Sequence, residues 1–184
     1  MEYFKRKTVQ GMLKVNLEDV KKAEEVLKSI VKETPLQESK ELSAKLGANV
    51  YYKCENLQKT GSFKIRGACN KISNLTDEEK AKGVIASSAG NHAQGVALGA
   101  KMTGIKATIV MPETAPLAKV TATKSYGAEV VLNGAVYDDA YAKAVEIQKE
   151  TGYIRGGCSP IGMRKQYQTI IDESCTKWGT IIIS

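Results

Sequence analysis

Two short stretches of this 184-residue chain hold residue types at spacings that could do chemistry. The first is Gly61-Ser62-Phe63-Lys64-Ile65-Arg66-Gly67. It lies where an extended segment gives way to a helical pattern, which puts Lys64 in a first helical turn. The helix macrodipole disfavours positive charge at that end. A partly buried amine there gains the free-amine character that condensation with an aldehyde requires. The bland alternative is a surface lysine at a helix start, with Arg66 in solvent. The second stretch is Ser87-Ser88-Ala89-Gly90-Asn91-His92-Ala93-Gln94-Gly95. A strand ends in small residues and a helix begins, so backbone N–H groups are left for an anion. Ser88 and Asn91 add side-chain donors, and the small residues let a flat ligand approach the backbone. Neither the G-x-G-x-x-G of a dinucleotide loop nor the G-K-[ST] of a Walker loop is present. Tight strand–helix packing alone would ask for the same small residues.

Other clusters read as structural. Residues 114–124 carry a proline and two lysines and look like an ordinary helix N-terminus. Tyr137, Asp138, Asp139 and Tyr141 gather at another helix start, where two acids suit the dipole. Cys54, Cys69, Cys158 and Cys175 are widely spaced, and His92 is the only histidine. That is a poor metal set, so no metal is expected and the thiols are expected to be reduced and mostly buried.

The elements that must position these groups follow from hydrophobic spacing. Residues 18–32 keep a helical period, with Val20, Ala23, Val26 or Leu27, and Ile30 or Val31 on one face and Asn16 as N-cap. Thr34-Pro35 then imposes extended chain. A short helix over 39–46 ends at Gly47, and NVYYKC at 49–54 reads as a strand. A helix follows over 63–73, and Thr76 with Glu79 forms a capping box for a short one. Strands at 84–87, 107–111 and 128–132 alternate with helices at 91–102, 114–125 and 138–150. This alternation predicts an α/β domain whose parallel sheet is covered on both faces. Past residue 153 the pattern weakens to a faint helix near 166–175 and an apolar TIIIS.

Composition excludes several classes. With 42% hydrophobic and 26% charged residues, the chain can bury a core without disulfide or metal staples. No apolar run approaches the ~18–20 residues of a membrane span. The opening MEYFKRKTVQGMLK lacks the apolar stretch of a secretory signal, so the cytoplasm is the expected compartment. A net charge of +7 raises the question of nucleic acid. The basic residues, however, are scattered and interleaved with acids, as in KKAEEVLKSIVKE. They read as a solvated surface with a modest pull on anionic metabolites, with no nucleic-acid or membrane partner.

Four stretches together carry a resemblance: TPL at 34–36, KCENLQKTGSFKIRGA at 53–68, SSAGNHAQGVA at 87–97 and MPETAPLAKVTATKSYGAEVVLNG at 111–134. Over about residues 18–153 the chain resembles the threonine dehydratase (threonine ammonia-lyase) and serine racemase branch of the fold-type II pyridoxal-phosphate enzymes. The resemblance implies a tryptophan synthase β-like α/β fold, with open parallel sheets and helices on both faces. It implies that residues 1–50 belong to a larger cofactor domain. Residues 51–153 would then hold the Lys64 motif and an inserted small α/β domain. Residues 154–184 depart from the family pattern and read as a divergent tail, an incomplete return to the larger domain. The family's C-terminal half, with its glycine-rich loop for the cofactor phosphate, is expected to be missing.

The resemblance also assigns roles. Lys64 matches the lysine that forms the internal aldimine with pyridoxal 5'-phosphate and then serves as base and acid. Phe63 matches the residue beside the cofactor ring, and Asn91 the one that hydrogen-bonds the ring 3′-oxygen. Ser88, Ala89, Gly90, Asn91 and His92 match the loop that grips the substrate carboxylate. The implied reaction is deamination of L-threonine to 2-oxobutanoate and ammonia, with L-serine giving pyruvate. Racemases of this branch carry a second serine where this chain has Ala89, which favours dehydration over racemisation. The implied partners are a small amino-acid substrate and a further copy of the chain. A second reading is a non-catalytic remnant that binds an amino acid or a partner subunit through the same loop.

Overall fold

The structure is a computed structural model and describes residues 15–155. Helix α1 (Leu17–Leu27) starts at Asn16, whose side chain accepts from the Asp19 N–H at 3.1 Å while the Asp19 carboxylate accepts from the Asn16 N–H at 3.0 Å. This reciprocal pair satisfies two backbone donors that a helix start leaves over. The apolar period of residues 18–32 runs on past Leu27, but the helix does not. The Gln58 amide accepts from the Lys32 N–H at 2.8 Å and donates to the Lys32 carbonyl at 2.9 Å. Those bonds take the place of a helical ladder and tie the end of α1 to the chain just before Lys64.

Strand β1 (Leu36–Glu38) leaves Pro35, helix α2 (Lys40–Leu46) is capped by Ser39, and strand β2 (Tyr51–Lys53) returns antiparallel to β1. Leu36 stands opposite Lys53, and Glu38 opposite Tyr51. The stretch 49–54 thus forms a strand, as its composition suggested, but outside the parallel sheet. Every residue of β1 and β2 is exposed, so this ribbon has no apolar row that would draw it into a covered sheet.

After a 3-10 turn at Glu55–Leu57 come α3 (Lys64–Ser73), α4 (Asp77–Lys82), β3 (Val84–Ser87), α5 (Asn91–Thr103), β4 (Ala107–Met111), α6 (Leu117–Ser125), β5 (Glu129–Leu132), α7 (Tyr137–Thr151) and β6 (Ile154–Arg155). Thr76 and Glu79 cap α4 reciprocally. Helix α6 begins after Pro116, later than the spacing suggested, because the residue before a proline avoids helical backbone. Strand β6 had no sequence signal, being a two-residue piece at the start of the stretch read as a tail. The faint helix near 166–175 and the apolar chain end lie outside the described residues.

The parallel sheet runs in the order β5-β4-β3-β6. Side chains alternate across a strand. Val84, Ala86, Ala107, Ile109 and Met111 therefore pack with Ala93, Val96, Ala97 and Ala100 of α5 and Val120 of α6. Ile85 and Val110 turn the other way, onto Ala140 and Ala144 of α7. Both faces are covered, as the alternation of elements predicted. A further layer lies outside α5, where α3 packs on it, and α1 in turn packs on α3 through Leu27, Ile65 and Cys69.

Topology then singles out one place. From β3, the chain steps outward through α5 to β4 and through α6 to β5. Helix α7 next carries it back to β6, on the far side of β3. Right-handed crossovers running in opposite directions put their helices on opposite faces. The reversal falls between β3 and β6, and ligands of open α/β sheets gather beyond the strand carboxyl ends at such a point. The chain that leaves β3 there is residues 88–90.

Candidate active site

Lys64 owes its position to the turn before it. Gly61 adopts φ +68°, a left-handed conformation that side chains resist, and its N–H donates to the Gln58 carbonyl at 2.8 Å. Buried Ser62 follows, and its hydroxyl accepts from the Lys64 N–H at 3.4 Å. Helix α3 then buries Ile65, Ala68, Cys69 and Ile72, the i, i+3, i+4, i+7 pattern of one face. Lys64 is half-buried, and its Nζ stands 4.7 Å from the centroid of the Phe63 ring. A cation over a ring face at that distance is attracted by the ring quadrupole.

A polar network beneath this turn escaped the sequence reading. Arg66 donates to Glu55 through Nε at 2.9 Å and through Nη2 at 2.8 Å. The Thr34 hydroxyl donates to the same carboxylate at 2.5 Å, and Lys53 Nζ donates to the Thr34 carbonyl at 2.7 Å. The hydrogen bond from Arg66 holds the Glu55 carboxyl below its usual range against the opposing effect of burial, with Thr34 assisting. Arg66 is pushed up in turn by Glu55. Arg66 is thus no solvated surface charge. Together with Thr34 and Glu55 it clamps the turn that presents Lys64.

The second stretch sits at the switch point. The Ser88 N–H donates to the Val110 carbonyl at 3.1 Å, and the Gly90 N–H donates to the Ser88 hydroxyl at 3.2 Å. Two of the N–H groups offered by the sequence to an anion are therefore engaged within the protein. Those of the first turn of α5, from Asn91 onward, have no side-chain cap. A β-carbon on Gly90 would meet nothing within 4 Å, so the space over the loop is open. The Ser87 hydroxyl at the end of β3 is buried without a partner among the described residues.

Asn91 and His92 are the first residues of α5, both half-buried. Lys119 of α6 reaches across to donate to Asn91 Oδ1 at 2.7 Å, a contact that sequence reasoning also missed. Burial holds the His92 imidazole below its ordinary value, and the charge of Lys64 lowers it further. The two stretches meet because α5 lies directly on α3. Gly99 faces Ile72 and Cys69, where a β-carbon would stand 3.1 Å from Ile72 Cδ1 and 3.2 Å from Cys69 Sγ. Gly95, a turn earlier, faces the backbone of Lys64 and Ile65. Burial also pushes the Cys69 thiol up to about 11, which leaves it a packing group.

The arrangement offers an amine beside an aromatic ring, an amide held by a cation, and a helix N-terminus, all at one end of a parallel sheet. Residues 27–182 match the family described as pyridoxal-phosphate dependent enzyme. The chain is 56% identical over 140 residues to the L-threonine ammonia-lyase of Thermotoga maritima, covering 76% of this chain and 35% of that protein. It is 54% identical over 146 residues to the L-threonine dehydratase catabolic TdcB of Staphylococcus aureus, covering 79% of this chain and 42% of that one. Among solved structures, maize serine racemase superposes with a TM-score of 0.71 at 39% identity, over 77% of this chain and 43% of that one. The chain spans less than half the length of these relatives. With the Lys64 turn, the 88–90 loop and the sheet order in place, the chain belongs to the family of pyridoxal-phosphate dependent enzymes.

Proposed function

We propose that this chain serves pyridoxal-phosphate-dependent deamination of L-threonine to 2-oxobutanoate and ammonia, with L-serine giving pyruvate. The observation that carries the reading is the seating of the Lys64 helix start against the N-terminus of α5 at the sheet's switch point. The names of the similar proteins, L-threonine ammonia-lyase and L-threonine dehydratase, support it. A cytoplasmic place in amino-acid metabolism, either feeding isoleucine synthesis or breaking threonine down, goes with this reading.

The described residues offer groups suited to the cofactor's aldehyde and ring. A primary amine, an amide and open space over Gly90 lie at the carboxyl end of the sheet. Pyridoxal phosphate, when bound, supplies an electron sink that acidifies the substrate α-proton. Lys64 Nζ is the amine that would hold its aldehyde carbon and is the group that would carry the substrate α-proton. The Phe63 ring lies against that amine on one side. Asn91 offers Nδ2 as a donor, since its Oδ1 is taken by Lys119. The uncapped first turn of α5 orients the substrate carboxylate through backbone N–H groups. Burial, with the Lys64 charge assisting, favours the uncharged form of His92.

Ala89 has no titratable proton to deliver on the opposite face, which favours elimination over the racemisation named for the maize neighbour. The reading is tested by incubating the purified chain with pyridoxal phosphate and L-threonine and assaying 2-oxobutanoate. Release that disappears in Lys64→Ala is the expected result. No release, with stabilisation of the fold by threonine, would identify the non-catalytic binder instead.

A further inference from the structure

The contact between Lys119 and Asn91 has a chemical direction. A lysine ammonium only donates, while an asparagine amide has one accepting and one donating end. With Lys119 Nζ 2.7 Å from Asn91 Oδ1, reversing the amide would set donor against donor. The amide is therefore held one way round, with its NH2 turned from α6. Among the described residues no hydrogen bond engages that NH2, although Asn91 is half-buried. Lys119 is itself well seated. Its carbonyl accepts from the fully buried Thr123 hydroxyl at 2.8 Å, its neighbour Val120 is in the core, and no carboxylate of the described residues pairs with its ammonium. Lys124, further along the same helix, is exposed.

We propose that Lys119 is a positioning residue, which orients the Asn91 amide so that its NH2 is presented as a donor to the oxygen on the cofactor ring. This rests on the proposed function in that the ring belongs to pyridoxal phosphate. The orientation of the amide, however, is a property of the protein without it.

The test uses the full chain, with Asn91 read by the NMR signals of its 15N-labelled side-chain amide, identified by their absence in Asn91→Asp. Without cofactor, Lys119→Met moves these signals to the position of freely rotating surface amides, while Lys124→Met does not. On titration with pyridoxal phosphate, Lys119→Met raises the dissociation constant about tenfold, which corresponds to about 1.4 kcal/mol. Asn91→Asp weakens binding at least as much while keeping the unfolding midpoint, because a carboxylate still pairs with Lys119 but has nothing to donate. A purely structural tie between α5 and α6 predicts the opposite for Asn91→Asp, with binding retained. If Lys119→Met does not fold, Lys119→Leu, which also lacks a donor, replaces it. The proposal is overturned if the Asn91 signals stay in place without the lysine, or if Lys124→Met weakens binding equally. Should the wild-type chain bind no pyridoxal phosphate, the functional reading fails, and the cofactor-free amide signals alone decide on Lys119.

Discussion

Gly95 of α5 faces the backbone of Lys64 so closely that a β-carbon there would lie 3.0 Å from both the carbonyl carbon and the carbonyl oxygen. A side chain there would be tighter than ordinary van der Waals contact, and the facing backbone would have to give by a few tenths of an ångström. The contact joins the turn that presents the amine to the helix whose N-terminus faces the loop at 88–90. Two stretches distant in sequence are thereby held as one rigid unit, which is what a site needs if its groups are to keep their relative positions.

Gly95→Ala tests this joint. Alanine is the better helix former by about 1 kcal/mol. The obstacle, however, is backbone and cannot rotate away, and forcing an extra carbon into a packed interface costs about 1–3 kcal/mol. A net loss of thermal stability is expected. Gly99→Ala meets a side-chain methyl and a sulfur that can shift, so it should lose less. Calorimetry of the two variants measures the difference, and equal midpoints would contradict the close-approach account.

The single histidine reports on Lys64 directly. Its folded value lies below the ordinary ~6.5, so between the two values the unfolded chain holds the extra proton. Stability contributed by neutral His92 is thus complete above about pH 6.5 and declines as pH falls below it. NMR titration of the imidazole should give a midpoint under 6.5. In Lys64→Met that midpoint should rise without reaching the free value, since burial is the larger cause. An unmoved midpoint would mean that the two side chains do not share a site.

Glu55 makes a prediction of the same kind with an acid. Its folded value lies below the ordinary ~4.3, so its contribution is present above that pH and is lost as pH drops through the lower, folded value. Glu55→Gln should lower stability at neutral pH by about 1.5–3 kcal/mol, the size of a hydrogen bond to a charged group. The gap from wild type should be flat above about pH 5 and close at lower pH. Urea denaturation across pH measures it, and a gap independent of pH would exclude the Arg66 clamp.

The sequence was legible where its signals are local. Strands β3 and β4 were read to their ends because each is a short buried run bounded by turns. The caps at Asn16 and Thr76 follow from residue types three apart. What it hid are pairs set by the fold. Arg66 finds Glu55 at a separation of 11 residues, and Lys119 finds Asn91 at 28, spacings that no helical or strand period marks. Strand β6 is too short to show a pattern, and β2 looks like any strand until its exposed faces are seen. The candidate site was thus readable as two motifs, while the groups that hold those motifs in place were not.

The most direct test of the account concerns the amine of Lys64. The folded chain is mixed with pyridoxal phosphate, reduced with borohydride, digested and mapped by mass spectrometry. The account predicts a pyridoxyl label concentrated on Lys64 and abolished in Lys64→Ala. Labelling spread over exposed lysines such as Lys124, with Lys64 unmodified, would contradict it.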